Sequence, residues 1–142
     1  MSITGATAVV MLTLPGLFPV PFQLQGFAAD DVYDTDDLQS AETLMGVDGK
    51  LSGGFVFVPV VQRYKLQADS PSIFFFDTWY TTQVQLRDTI NVSGLVAIPS
   101  LGKKYTMTKG FLTGYKPIPD GKKLIQPQNF AITWESVFPA VA

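Results

Sequence analysis

The chain has no cysteine and no histidine among its 142 residues. The first absence excludes disulfides and thiolate metal sites. The second removes the commonest general base, the usual activator of a serine or cysteine nucleophile and the commonest metal ligand. Serine–histidine, cysteine–histidine and zinc chemistries are excluded, which leaves only carboxylate, lysine, tyrosine or hydroxyl chemistry. Charge is also scarce: 15% of residues are Asp, Glu, Lys or Arg, and the mean hydropathy is +0.22. A chain this apolar is expected to bury surface against copies of itself or a partner. Its length corresponds to one domain, residues 1–142, with room for a hydrophobic core.

Basic residues are missing from the whole first third. No Lys or Arg precedes Lys50, yet the same stretch holds seven acids: Asp30, Asp31, Asp34, Asp36, Asp37, Glu42 and Asp48. Residues 50–142 carry ten bases and five acids. Opposite charge on two parts of one chain suits one face of a subunit meeting the opposite face of the next, in a head-to-tail ring or stack. The plainer alternative is charge scattered on solvated surfaces. Residues 1–29 are uncharged but have no basic n-region, and Pro15, Pro19 and Pro21 interrupt their apolar run. They do not read as a signal or membrane segment. "TAVVMLTL" and "VPFQLQGF" read instead as strands around a Pro-Gly turn.

Most of the remainder alternates like strand, in short Val-, Thr-, Phe- and Tyr-rich runs between Gly, Pro and Asp-Gly signals. The pattern predicts strands over 6–14, 20–34, 40–47, 50–67, 90–98, 103–116 and 123–137, with 138–142 as a tail. Asp48-Gly49 is the strongest hairpin signal. Gly53-Gly54 predicts a bulge or a close backbone approach, and "KPIPDGKK" a second turn. One segment departs from this alternation. Ser70 fits an N-cap and Pro71 a first helical position. Ile73, Phe76, Trp79 or Tyr80, and Val84 then recur at helical spacing as far as Arg87, giving one amphipathic helix of about 15 residues. Its aromatic stripe is the face that packs on a sheet. The fold expected is mainly β: a β-sandwich or partial barrel with one docked helix.

The acidic stretch admits several chemistries. An EF-hand register from Asp31 to Glu42 fails inside, with Tyr33 and Thr35 at ligand positions and Asp36 where glycine is needed. A glycosidase pair requires a defined separation, a raised pKa and a sugar cleft, none of which the sequence signals. No enzyme is expected, and no cofactor or metal. Lys103, Lys104, Lys109, Lys116, Lys122 and Lys123 make the last third basic, but the acidic segment opposes tight phosphate binding. A wall of carboxylates would rather let a duplex pass without gripping it.

Two runs carry a resemblance: "AETLMGVDGKLSGGFVFVPVVQRYKLQADSPSIFFFDTWY" and "GFLTGYKPIPDGKKLIQPQNFAITWES". Together they resemble the tail tube (inner tube) proteins of contractile-tailed bacteriophages, some of which are labelled simply as tail or tail fibre proteins. The order matched is a long acidic hairpin, a GxDG turn, long strands, one helix after Ser-Pro and a terminal strand pair. The resemblance implies a structural subunit of hexameric rings. Adjoining sheets close a β-barrel lumen in each ring, and the rings stack into a tube within the virion tail, assembled in the host cytoplasm. Implied partners are further copies of the chain, the tail sheath, the tape measure protein in the lumen and DNA in non-specific passage, with no membrane. On this reading Asp30, Asp31, Asp34, Asp36, Asp37, Glu42 and Asp48 line the lumen or the contact between rings. Lys50, Arg63, Lys65, Lys103 and Lys104 are candidate basic partners on a neighbouring subunit. The alternatives are a tube initiator or terminator, and a β-sandwich module of a tail or fibre that binds carbohydrate or calcium.

Overall fold

The computed structural model describes residues 8–27 and 33–141. In chain order the elements are β1 (Val9–Leu14), β2 (Phe18–Gln23), β3 (Tyr33–Thr35), β4 (Ala41–Met45), β5 (Leu51–Phe55), β6 (Val60–Leu66), α1 (Ile73–Leu86), β7 (Val92–Ile98), β8 (Lys103–Tyr115) and β9 (Gln128–Val141). Seven strands form one antiparallel sheet in the order β2-β1-β7-β8-β9-β6-β3, while β4 and β5 pair only with each other. The architecture is mainly β with one helix, as the alternation predicts.

The sheet must curl, and one short segment proves it. The Leu24 N–H bonds the Val10 carbonyl on β1 at 2.9 Å, and two residues later the Gly26 carbonyl accepts from Gln67 N–H, just past β6, at 2.8 Å. In the strand order β1 and β6 lie four places apart. A flat sheet would separate them by roughly 19 Å, whereas three residues reach only about 10 Å. Among the described residues the sheet therefore wraps into a partial barrel that stays open between β2 and β3. Gly26, at φ 70, makes the corner, and a Cβ there would lie 2.7 Å from the Ser70 side chain.

The concave side is the core. Alternate residues Val10, Leu12 and Leu14 of β1, Val60, Tyr64 and Leu66 of β6, and Phe130, Ile132 and Trp134 of β9 are buried there. Trp134 is its keystone. Packing around the ring is so close that a Cβ on Gly110 would sit 2.6 Å from it and one on Gly94 2.8 Å. Its indole N–H donates to Gln62 Oε1 at 3.2 Å, and the Tyr64 hydroxyl donates to the same oxygen. Burial pushes the Tyr64 phenol well up, which keeps it protonated as that donor. Helix α1 closes the core with Ile73, Phe76 and Trp79. Phe76 stacks on Phe130 at 4.3 Å, and the Trp79 N–H bonds the Ile90 carbonyl at 3.1 Å.

Several boundaries differ from the sequence reading. The run 20–34 is not one strand: β2 lies at one sheet edge and β3 at the other. The run 50–67 breaks between Phe55 and Val60, where Pro59 and its neighbours carry the chain from the arm into the sheet. The last strand begins at Gln128 and continues to Val141, so most of the expected tail is strand. Gly53 and Gly54 sit in regular register opposite Thr43 and Glu42, with neither a bulge nor a close approach. The helix N-cap is Ser72, not Ser70, so Pro71 precedes the helix, and Tyr80 and Val84 face solvent. Ser70 and Ser72 have another task. The Ser70 hydroxyl donates to the Gln25 carbonyl and Ser72 Oγ accepts the Gln25 N–H at 2.8 Å, which staples the crossing segment to the helix entry.

Candidate functional site

An unbroken run of exposed residues extends from Asp34 to Phe55 and includes the whole β4–β5 hairpin. Its register pairs Ala41 with Phe55, Glu42 with Gly54, Thr43 with Gly53, Leu44 with Ser52 and Met45 with Leu51. Side chains alternate across a strand, so one face of the ribbon carries Ala41, Phe55, Thr43, Met45 and Leu51, and the other Glu42, Leu44 and Ser52. All ten strand residues are exposed. Phe55 is 70% and Met45 62% accessible, and Phe57, in edge contact with Phe55 at 4.8 Å, is 90% accessible. A lone two-stranded ribbon is marginal in water. One with a contiguous apolar face, standing off its own sheet, has the composition of a surface awaiting cover.

The tip is built by local chemistry. The Gly46 N–H bonds the Lys50 carbonyl at 2.8 Å, Gly49 N–H bonds the Gly46 carbonyl at 3.0 Å, and Asp48 Oδ1 accepts from Lys50 N–H at 3.1 Å. Gly49 takes the left-handed φ of 85 that the turn requires. The turn therefore falls where Asp48-Gly49 predicts it, with five residues between the paired positions Met45 and Leu51. At the root, Val56 N–H bonds the Ser40 carbonyl at 2.8 Å and Asp36 N–H bonds the Val61 carbonyl at 3.0 Å. The first bond continues the arm's own ladder past Ala41 and Phe55, and the second continues the β3–β6 pairing past Thr35 and Gln62, so the arm leaves the sheet between these two points.

The acidic residues do not form one wall. Asp30 and Asp31 lie outside the described residues. Asp34, on β3, sits directly opposite Arg63 of β6, and its carboxylate is 3.4 Å from the guanidinium. Asp36 accepts two guanidinium hydrogen bonds, at 2.6 and 3.2 Å, and these hold its carboxyl below the usual carboxylate range. Arg63 is thus engaged within its own chain by two of the acids that the sequence reading set against a neighbour. Asp37 is exposed beyond this clip, Glu42 lies on the arm, and Asp48 and Lys50 lie at its tip. Lys65 is on β6 opposite Asn129. Lys103 and Lys104 open β8, paired with Ile98 and Ala97 on one side and with Val141 and Ala140 on the other. The long acidic hairpin expected from the sequence is therefore two units, a short clipped edge strand and an apolar arm carrying Glu42 and Asp48.

Concave features are modest. An open groove of about 600 Å³ lies beside the clip, with Asp34, Arg63, Lys116 and Asn129 among its walls. A second hollow of about 310 Å³ occupies one end of the partial barrel between Tyr33, Tyr105 and Val137. Among the described residues no group of three or more carboxylates is placed to hold a metal, and every buried side-chain polar atom has a hydrogen-bond partner. Sequence reasoning missed the apolar face of the arm. Its signal was present in "AETLMGVDGKLSGGF", where Met45, Leu51 and Phe55 fall on one parity of a hairpin with small or polar residues between them.

The tail fiber protein gp32 family model matches residues 1–138. No curated protein matches by sequence. By fold, the chain is similar to a chain of the PVC sheath-tube complex, an extracellular contractile injection system in its extended state. The TM-score is 0.63 at 14% identity, over 99% of this chain and 93% of that one. A chain of the anti-feeding prophage tube terminating cap scores 0.61 at 14% identity, over 100% and 93%. One of the anti-feeding prophage baseplate scores 0.55 at 12%, over 99% and 98%.

Proposed function

Since the chain belongs to the tail fiber protein gp32 family, we propose that it is a structural subunit of a contractile tail that builds the tail tube by self-assembly. The observation that carries this reading is the β4–β5 arm. It is a ribbon with an uncovered apolar face, on a fold shared with a chain of a sheath-tube complex. In this proposal the arm of one subunit lays Met45, Leu51 and Phe55 on a neighbouring copy and so joins one ring to the next. Such a contact is heterologous and repeats without closing, which produces a tube and not a discrete dimer. Asp37, Glu42 and Asp48 bring negative charge to that contact or to the lumen, and Lys103 and Lys104 are the basic groups they meet. Asp34 and Asp36 contribute less field, because Arg63 already offsets them.

The work of the protein in this reading is geometric. It forms rings around a lumen for the tape measure protein and for DNA, meets the sheath outside, resides in the virion tail and catalyses no reaction. A second reading is a tube terminator, which caps the stack instead of extending it. The nearly equal likeness to a chain of a tube terminating cap favours it. Negative-stain electron microscopy of the purified chain over a concentration series separates the two. A repeating subunit gives hollow tubes that lengthen with concentration, whereas a terminator stops at single rings. Monodisperse monomers at every concentration would contradict both.

A further inference from the structure

Among the described residues the two free edges of the seven-stranded sheet are β2 and β3. A free edge presents unpaired N–H and C=O groups and invites another strand. The β2 sequence, Phe-Pro-Val-Pro-Phe-Gln, would be a strong strand former without its two prolines. Pro19 and Pro21 have no N–H to donate. They also sit at an irregularity: Leu12 faces Phe22 and Leu14 faces Phe18, so Pro19, Val20 and Pro21 occupy a stretch where β1 supplies only Thr13. Two extra residues are bulged into the edge strand, and all three of these positions are exposed, Val20 at 75%. The β3 edge is limited differently: it is three residues long and its Asp34 is tied back to Arg63.

We propose that Pro19 and Pro21, in the bulge they occupy, bar the β2 edge from strand-to-strand pairing with a second copy of the chain, so that any neighbour meeting this edge is held by side chains and not by a main-chain ladder. The side chains available are aromatic. Phe22 stacks on Phe75 at 3.9 Å, Phe18 meets Phe75 edge-on at 4.9 Å, and Phe74 stands 62% exposed beside them. This goes beyond the tube reading and holds for the free chain as well.

The test restores the donors. Pro19→Thr/Pro21→Thr supplies two N–H groups and two strand-favouring residues at exposed positions, away from the core. The double variant is expected to keep the wild-type circular dichroism spectrum while gaining thioflavin T fluorescence and an intermolecular strand band in the infrared. Both should rise with concentration where the wild type stays flat. A folded variant with wild-type fluorescence and infrared spectra overturns the proposal. Should the double variant not fold, Pro21→Thr alone is read in the same way. Independently, a main-chain hydrogen bond from β2 to a neighbouring copy in a cryo-EM structure of the wild-type assembly also overturns it. Neither readout depends on whether the assembly is a tube or a cap.

Discussion

The partial barrel and the β4–β5 arm are both made of alternating strand, yet they obey opposite rules. In the barrel, alternation sorts side chains into a buried and a solvated set: Val10, Leu12 and Leu14 lie inside, with the residues between them only partly covered. In the arm the same alternation yields an apolar and a mixed face, and neither is buried. The concave face of the barrel is covered within the chain, by the helix and the crossing segment. Among the described residues no such layer covers the arm. Binary pattern therefore reports which residues seek burial, and topology decides whether the burial is intramolecular.

This contrast can be broken from the barrel side first. Trp134→Ala removes the ring around which Gly94, Gly110 and Gln62 are arranged, and it is expected to cost about 3–5 kcal/mol. Urea denaturation followed by fluorescence measures it, and a cost under about 1 kcal/mol would mean the core is not centred there. Gly110→Ala adds the reverse defect. A Cβ 2.6 Å from the Trp134 ring is expected to cost about 1–3 kcal/mol by overpacking, read from the same denaturation midpoint. On the arm side, Met45→Asp/Leu51→Asp/Phe55→Asp changes three exposed residues. The folding midpoint should move little, within about 0.5 kcal/mol per site, while assembly beyond a single ring is lost.

The smallest effect belongs to the clip at the root of the arm. Arg63 lowers the folded-state pKa of Asp36 below its ordinary 3.8. The clip therefore stabilises the fold above that ordinary value, and the contribution is lost as pH falls through the depressed folded-state pKa. Both side chains are about half exposed, so the contribution is small and screened by salt. Thermal melts between neutral and strongly acid pH should show a slightly shallower acid decline for Arg63→Ala than for the wild type. Identical slopes would remove the clip from the account.

Much of this fold is legible in the sequence where the signals are local. The helix over Ile73–Leu86 follows from 3.6-residue spacing, the arm turn from Asp48-Gly49, and β7 and β8 from alternation between turn residues. What was hidden is non-local. "FVFVPVV" reads as one strand because alternation does not record where a chain leaves one sheet for another. Ser70 carries the signature of an N-cap, but its hydroxyl is taken by Gln25, 45 residues away. Arg63 looks like a free cation until β3 is placed beside β6. At the candidate site, the turn and the charges of Glu42 and Asp48 were readable. The parity of Met45, Leu51 and Phe55 was also in the sequence, but their exposure was not, because exposure depends on the rest of the molecule.

Sedimentation velocity of the wild type beside Met45→Asp/Leu51→Asp/Phe55→Asp, over a shared concentration series, decides whether the arm joins one subunit to the next. The wild type is expected to shift to large, concentration-dependent species while the folded variant sediments as a monomer or a single ring throughout. If the variant assembles as the wild type does, the arm is not the joint between subunits and the account is contradicted.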